Sequence, residues 1–288
     1  MGAAPLPPAV ASGFEAHTGA TLCEGYGLTE GTCASARSWP DAQRAGTVGQ
    51  RLPYQEARAA RIDESTGEWT FLPENEVGTL VLRGPNIFAG YLVRGDSGTE
   101  LHTDGKVKDG WLNTGDLASV DADGFIRLAG RAKDLIIRGG HNIDPATIED
   151  ALLAHPEVTA AAAVGRPDRH SGEVPVAFVT VAEGSGLTTE ELEVWAAQHV
   201  PERAAAPKRV EIIDEIPLTA VGKQFKPELR RRASEHAARH ALAETPMADQ
   251  VRGVLVGGVV EIHVSRSPHD DQVREALSQY AWTWKLTH

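Results

Sequence analysis

The lysine of PLTAVGKQFKPELR, residues 217–230, stands directly after a glycine, between a Pro-Leu-Thr turn and a basic helical stretch. Gly-Lys ends many phosphate-binding loops, where backbone amides cradle a phosphate and the lysine reaches it. The rest of that pattern is missing. No glycine lies five residues before Gly222, and Gln224 stands where a Ser or Thr would hold magnesium. Lys223 is not a lysine of that kind, and its ammonium group needs another use.

Three more stretches carry chemistry. GYGLTE, residues 25–30, joins an aromatic, a hydroxyl and a carboxylate in one turn. A ring such as that of Tyr26 can stack on a purine, worth about 1–3 kcal/mol per base in nucleic-acid complexes. Thr29 can donate to a phosphate oxygen, and Glu30 is a hard oxygen ligand suited to magnesium shared with phosphates. The same residues also read as a strand ending in a glycine turn. WLNTGD, residues 111–116, sets Asp116 after a Thr-Gly turn. A carboxylate there can accept from both hydroxyls of a ribose diol, or cap its own turn. GRAKDLIIRGGHNIDPATIED, residues 130–150, offers the planar donor fork of Arg131, Lys133 at a change of texture, and Gly139-Gly140, which permit close backbone approach to a ligand. It also reads as a surface charge cluster before a strand.

Elements must position these groups. Residues 7–19 predict a short helix, and TLCEGYGLTE a strand running into a glycine-rich turn. Segments broken by Gly and Pro (GTVGQRLP, GTLVLRGPNIF, GWLNTGD) predict β-rich structure, a distorted barrel. DLASVDADGFIRLAG predicts a hairpin turning at Asp123-Gly124. Beyond Arg131 the texture becomes α+β. DLIIRGG, TAAAAVGRP, VPVAFVTVAE and RVEIIDEIP read as strands. PATIEDALLAHP reads as a helix with Pro at its start, and TTEELEVWAAQHV as one with a Thr cap and a Glu three residues on. KPELRRRASEHAARHALAE is a basic helix. Past residue 246, VRGVLVGGVVEIHV predicts a hairpin around Gly257-Gly258 and DDQVREALSQYAWTWKL a helix.

Composition narrows the partners. The 288 residues are 41% hydrophobic and 24% charged, as in globular proteins of one large or two domains. A net charge of −12 disfavours nucleic acid and anionic membrane. No apolar run approaches the ~20 residues a membrane span requires. MGAAPLPPAV lacks a positive n-region, so it does not read as a signal peptide. Two cysteines, Cys23 and Cys33, make neither a disulfide framework nor a zinc site and fit a reducing cytoplasm.

GYGLTE, WLNTGD, GRAKDLIIRGGHNIDPATIE and PLTAVGKQFKPELR occur in that order, and the sequence resembles the downstream half of the AMP-forming acyl- and aryl-CoA synthetases, in the superfamily of adenylate-forming enzymes. The resemblance spans roughly residues 3–235. It implies a mixed α/β fold: the distal, β-barrel-like part of the large AMP-binding domain over 1–132, a mobile α+β C-terminal domain over 133–240, and an extension over 241–288. Such enzymes join a carboxylic acid to the α-phosphate of ATP, release pyrophosphate, and pass the acyl group from AMP to coenzyme A. The resemblance implies that Gly25, Tyr26, Gly27, Thr29, Asp116, Arg131 and Lys223 bind ATP and AMP, with Tyr26 on adenine and Asp116 and Arg131 on the ribose. Lys223, Thr29 and Glu30 would be catalytic. Glu30 would hold Mg²⁺, Lys133 would be the hinge, and Gly139 and Gly140 would line the coenzyme A tunnel. Asn142 stands where some members carry an Arg that reaches ATP phosphate. The family's Ser/Thr/Gly-rich phosphate loop, upstream of GYGLTE, has no counterpart, so the sequence reads as a C-terminal half, inactive alone and a possible partner to a missing N-terminal half. Two other readings compete: a non-catalytic remnant that binds only a partner half or a nucleotide, which the missing phosphate loop favours, and an adenylation domain delivering to a carrier protein, disfavoured because no Gly-Gly-x-Ser follows. His236 and His240, one helical turn apart, read as a solvated helix face, and Tyr280, Trp282 and Trp284 as packing.

Overall fold

In the computed structural model, residues 8–63, 65–95, 98–220 and 222–287 are described. The Gly-Ala-Ala-Pro-Leu segment noted at the N-terminus lies outside them. The chain divides into two compact units, 1–133 and 134–288.

The first unit opens with the helix Pro8–Thr18 and is otherwise strands and turns. Its main sheet runs in the order Ile126–Arg131, Trp111–Val120, Gly78–Arg83, Glu56–Asp63, Glu68–Phe71, all antiparallel. The central Gly78–Arg83 strand explains its own Leu-Val-Leu run. Leu80 and Leu82 pack with Ala118, Ile126 and Ala36 on one side, while Val81 joins Ala60 and Trp111 on the other. A strand covered on both faces needs apolar residues in succession, not alternation. Three short strands, Gly25–Tyr26, Ala36–Arg37 and Gln50–Arg51, form a separate sheet beside this core. The strand expected over TLCEGYGLTE is therefore only Gly25–Tyr26, followed by a 3₁₀ turn, Thr29–Gly31.

The 116–130 hairpin forms, but not as a two-residue turn. Val120 pairs with Ile126, leaving residues 121–125 as the loop. Asp121 Oδ1 accepts from the amides of Asp123 and Phe125, so an Asx turn sets the loop.

In the second unit the strands Val158–Asp168 and Gly172–Val181 form a long antiparallel pair. Val210–Ile212 adds parallel to the second, and Ile136–Arg138 with His141–Ile143 completes the sheet. Ala161, Ala163, Ala177 and Val179 face Ile148 and Leu152 of the helix Pro145–Leu153 and Leu192 and Ala196 of Thr189–His199. Ala162, Val164, Val176 and Phe178 face Leu229 and Ala233 of the helix Lys226–Ala241. Helices on both faces account for the unbroken AAAAV run. Helix starts follow the expected chemistry: Asp144 accepts from the Ala146 amide ahead of Pro145, and Thr188 and Glu191 close a full capping box.

Residues 251–287 extend this unit. Val251–Val256 and Val259–Ser265 form the expected hairpin. The expected helix over 270–286 ends at Leu277, and Thr283–Thr287 pairs parallel to Val259–Ser265. The reason lies in the spacing: Trp284 and Leu286, two apart, turn onto Val251, Ile262 and Val264, which pack with Ala238 and Leu242 from the preceding helix and its end. Trp282 joins that core, its indole N–H donating to the Leu277 carbonyl. Tyr280 stacks on Trp282 at 4.3 Å. His236 is half-buried rather than solvated, and burial, then the nearby Arg209, push its pKa down. Among the described residues no group of three or more His, Cys, Asp or Glu could hold a metal ion, and no helix is long and apolar enough to cross a membrane.

Candidate active site

Asp116 is the meeting point in the first unit. The strand Trp111–Val120 loses register against Gly78–Arg83 between Asn113 and Leu117, and against Ile126–Arg131 between Asp116 and Ala118. Such an irregularity re-aims a side chain. Thr114 fixes it, donating through Oγ1 to the Leu80 carbonyl and accepting from the Asp116 amide. Asp116 Oδ2 accepts from the Tyr26 hydroxyl at 2.6 Å, and Oδ1 from Arg131 Nε at 2.9 Å. Burial, then the Asp116 charge and hydrogen bond, push the Tyr26 phenol well above its ordinary range, so it remains a donor. Arg131 is half-exposed and Asp116 largely covered. Two residues from separate sequence stretches thus converge on the carboxylate supplied by a third.

Gly25 and Tyr26 lead to this point by pairing with Arg37 and Ala36. Gly27 has a packing reason. A Cβ there would sit 1.7 Å from the Cys33 carbonyl oxygen, because the chain doubles back through the Cys33 N–H to Leu28 and Ser35 N–H to Tyr26 hydrogen bonds. Thr29 is exposed at the head of the 3₁₀ turn.

Glu30, next along that turn, already holds a cation. Its Oε1 accepts from Lys106 Nζ at 2.5 Å and from the Tyr91 hydroxyl, and Nζ also donates to the Tyr91 oxygen at 2.6 Å. Burial alone would raise the Glu30 pKa; the hydrogen bonds from Lys106, Tyr91 and its own backbone outweigh it and hold the carboxyl at about 2. Burial works against the Lys106 charge too, yet the bonds to Glu30 and Tyr91 leave its pKa raised. An ionised, largely covered carboxylate with an ammonium standing on it is a cation position. One carboxylate plus substrate phosphates is an ordinary magnesium donor set, so the residues present fit that ion. Sequence reading missed Tyr91 and Lys106. They lie 61 and 76 residues from Glu30, and no motif marks either.

In the second unit Lys223 closes the turn of a narrow hairpin. Leu218 bridges Gln224, Thr219 N–H donates to the Lys223 carbonyl at 2.7 Å, and Phe225 N–H to Pro217 at 2.7 Å. The Thr219 hydroxyl accepts from the Lys223 amide. Gln224 Nε2 donates to the Ala161 carbonyl at 2.9 Å, tying the hairpin to the sheet. The Lys223 side chain is exposed, and among the described residues its ammonium has no ion-pair partner. Gly139 and Gly140 form the turn between paired Arg138 and His141, at φ of +56° and +86°. That is the two-residue hairpin geometry glycine favours, and it accounts for the pair without a ligand. Lys133 is exposed in the turn Ala132–Asp134, where the two units meet in sequence. Asp134, one residue on, pairs with Arg230.

The β-rich first unit thus focuses an aromatic and a guanidinium on one carboxylate, and the α+β second unit carries an exposed lysine on a hairpin. The chain belongs to the AMP-binding enzyme family: the description "AMP-binding enzyme" matches residues 1–92, and "AMP-binding enzyme C-terminal domain" matches residues 147–223. It is 38% identical over 297 residues to a marinolic acid–CoA ligase of Pseudoalteromonas sp., covering 99% of this chain and 45% of that one. It is 38% identical to a long-chain-fatty-acid–CoA ligase of Escherichia coli, over 81% of this chain and 39% of that one. Among solved structures it resembles ATP-bound MatB from Rhodopseudomonas palustris, with a TM-score of 0.71 and 31% identity over 80% of this chain and 44% of the other. The anthranilate CoA ligase AuaEII in complex with anthranoyl-AMP gives a TM-score of 0.71 at 28% identity, over 82% and 44%. The chain thus spans about 45% of the length of the first of these relatives.

Proposed function

We propose that the protein is the part of an AMP-forming acid–CoA ligase that grips the nucleotide and carries the mobile lysine. In the first half-reaction a carboxylate oxygen attacks the α-phosphorus of ATP, and pyrophosphate leaves. In the second the sulfur of coenzyme A attacks the acyl carbon, gives up its proton, and AMP leaves. The observation that carries this reading is the pairing of Asp116 with both Tyr26 and Arg131. A carboxylate already fixed from two sides is a preorganised acceptor for the two hydroxyls of a ribose, while the Tyr26 ring offers a face to the base.

The first half-reaction brings together two anions. At about 4 Å and an effective dielectric of about 20, a pair of unit charges is worth roughly 4 kcal/mol. The Lys223 ammonium, exposed on a tied hairpin, is suited to cancel that repulsion. Its place in the second unit lets it withdraw before the thiol enters, with Lys133 as the hinge and the Gly139-Gly140 turn beside the coenzyme A path. Thr29 donates to phosphate. Magnesium bound with ATP would be held by Glu30 and would supply charge neutralisation to the phosphates. The phosphate loop comes from the part of the family fold this chain does not span, as a preceding segment or partner. The substrate is a carboxylic acid of fatty or aromatic type, activated in the cytoplasm, where ATP and coenzyme A are supplied.

The test is pyrophosphate release against a panel of fatty and aromatic acids, with the protein alone and completed by the phosphate-loop segment of the family. Acid-dependent release from the completed protein, followed by a CoA thioester, is expected. Acid-independent hydrolysis, or none with any acid, contradicts the ligase reading.

A further inference from the structure

Glu30, Tyr91 and Lys106 form a closed triad: Tyr91 and Lys106 both donate to Glu30 Oε1, and Lys106 donates to Tyr91 as well. The ammonium lies 5.2 Å from the centre of the Tyr91 ring, and Phe88 packs edge-on against the same ring at 4.9 Å. The backbone on either side is fixed. The Phe88 amide donates to the Glu30 carbonyl, and the Asn113 amide to that of Lys106. The carboxylate is 13% exposed, whereas the lysine side chain is 40% exposed. The charge that must stay is covered, and the charge that can leave is open to solvent on a flexible four-carbon stem.

We propose that Lys106 is the resident counter-ion of Glu30, and that a divalent cation reaches this carboxylate only by displacing its ammonium. The proposal rests on reading Glu30 as the metal ligand of the nucleotide site. A divalent ion and an ammonium cannot share one carboxylate oxygen without strong like-charge repulsion. Lys106 therefore weakens binding of the bare ion. It weakens less the binding of an ion that arrives with phosphates, because the released ammonium then finds an anionic partner. The site thereby favours the metal–nucleotide complex over free metal, and Glu30 is not left unpaired when the nucleotide departs.

The test uses Mn²⁺ alone, titrated into the full chain and followed by electron paramagnetic resonance. Lys106→Met should tighten Mn²⁺ binding about tenfold or more. Lys106→Arg, which keeps the charge, should bind as the unsubstituted chain does, and adding Glu30→Gln to Lys106→Met should abolish the gain. Equal affinity in the unsubstituted and Lys106→Met chains overturns the proposal, as does a gain that survives Glu30→Gln. Should Lys106→Met fail to fold, the unsubstituted chain decides the matter. The Cε signal of isotopically labelled Lys106 must move toward that of solvent-exposed lysines as Mg²⁺ is added, and a signal indifferent to Mg²⁺ refutes the exchange. None of these readouts needs turnover, so failure of the ligase reading in the pyrophosphate assay and failure of the exchange are told apart.

Discussion

Tyr26 and Arg131 each take one oxygen of Asp116, so the loss of either partner leaves a largely covered carboxylate short of a donor. Tyr26→Phe keeps the ring and removes that donor. It should destabilise the first unit by about 1.5–3 kcal/mol, the range for a hydrogen bond to a charged group, read from urea unfolding. Glu30 supplies a pH signature. Its folded-state pKa of about 2 lies below the 4.5 of a free glutamate, so the triad's stabilisation is fully present above pH 4.5 and is lost as pH falls through 2. The stability difference between the unsubstituted chain and Lys106→Met should therefore be flat above that window and shrink within it. Tyr26, Glu30, Asp116 and Arg131 each stood out in the sequence because they lie in short, unusual stretches. Their contacts did not, since strand register decides them. Lys106 had no local signal at all.

At the scale of elements, the hairpin carrying Lys223 is held by its backbone and the Thr219 hydroxyl, and the Gln224 side chain ties it to the sheet. Gln224→Ala should leave the fold intact and speed amide exchange at Lys223 and Phe225 about fivefold, the equivalent of one ordinary hydrogen bond. The helices of the second unit were legible from caps and apolar spacing, down to the Thr188–Glu191 box. The Gly139-Gly140 pair was read as the end of a strand and as a point of close ligand approach, whereas it is the turn of a hairpin, for which nothing in the flanking sequence gave a signal. The chain after Leu277 was misread because helical composition runs on to Tyr280, whereas the alternation of Trp284 and Leu286 belongs to a strand.

At the scale of the whole molecule, each of the two units has its own cores. The extension shares its core with Ala238 and Leu242, at the end of the long helix whose Leu229 packs on the sheet. Ile262→Ala should cost about 2–5 kcal/mol and lower amide protection of the Lys226–Ala241 helix as well as of the extension. Protection lost only beyond residue 246 would show that the extension folds by itself. The most direct measurement of the central claim compares two rates in Lys223→Ala, using the protein completed by the family's phosphate-loop segment. Adenylate formation from acid and ATP should fall about 10²–10³-fold, as when a preorganised transition-state donor is removed. Thioester formation from a supplied acyl-adenylate should fall much less. Equal losses in the two steps, or none in the first, would contradict the account.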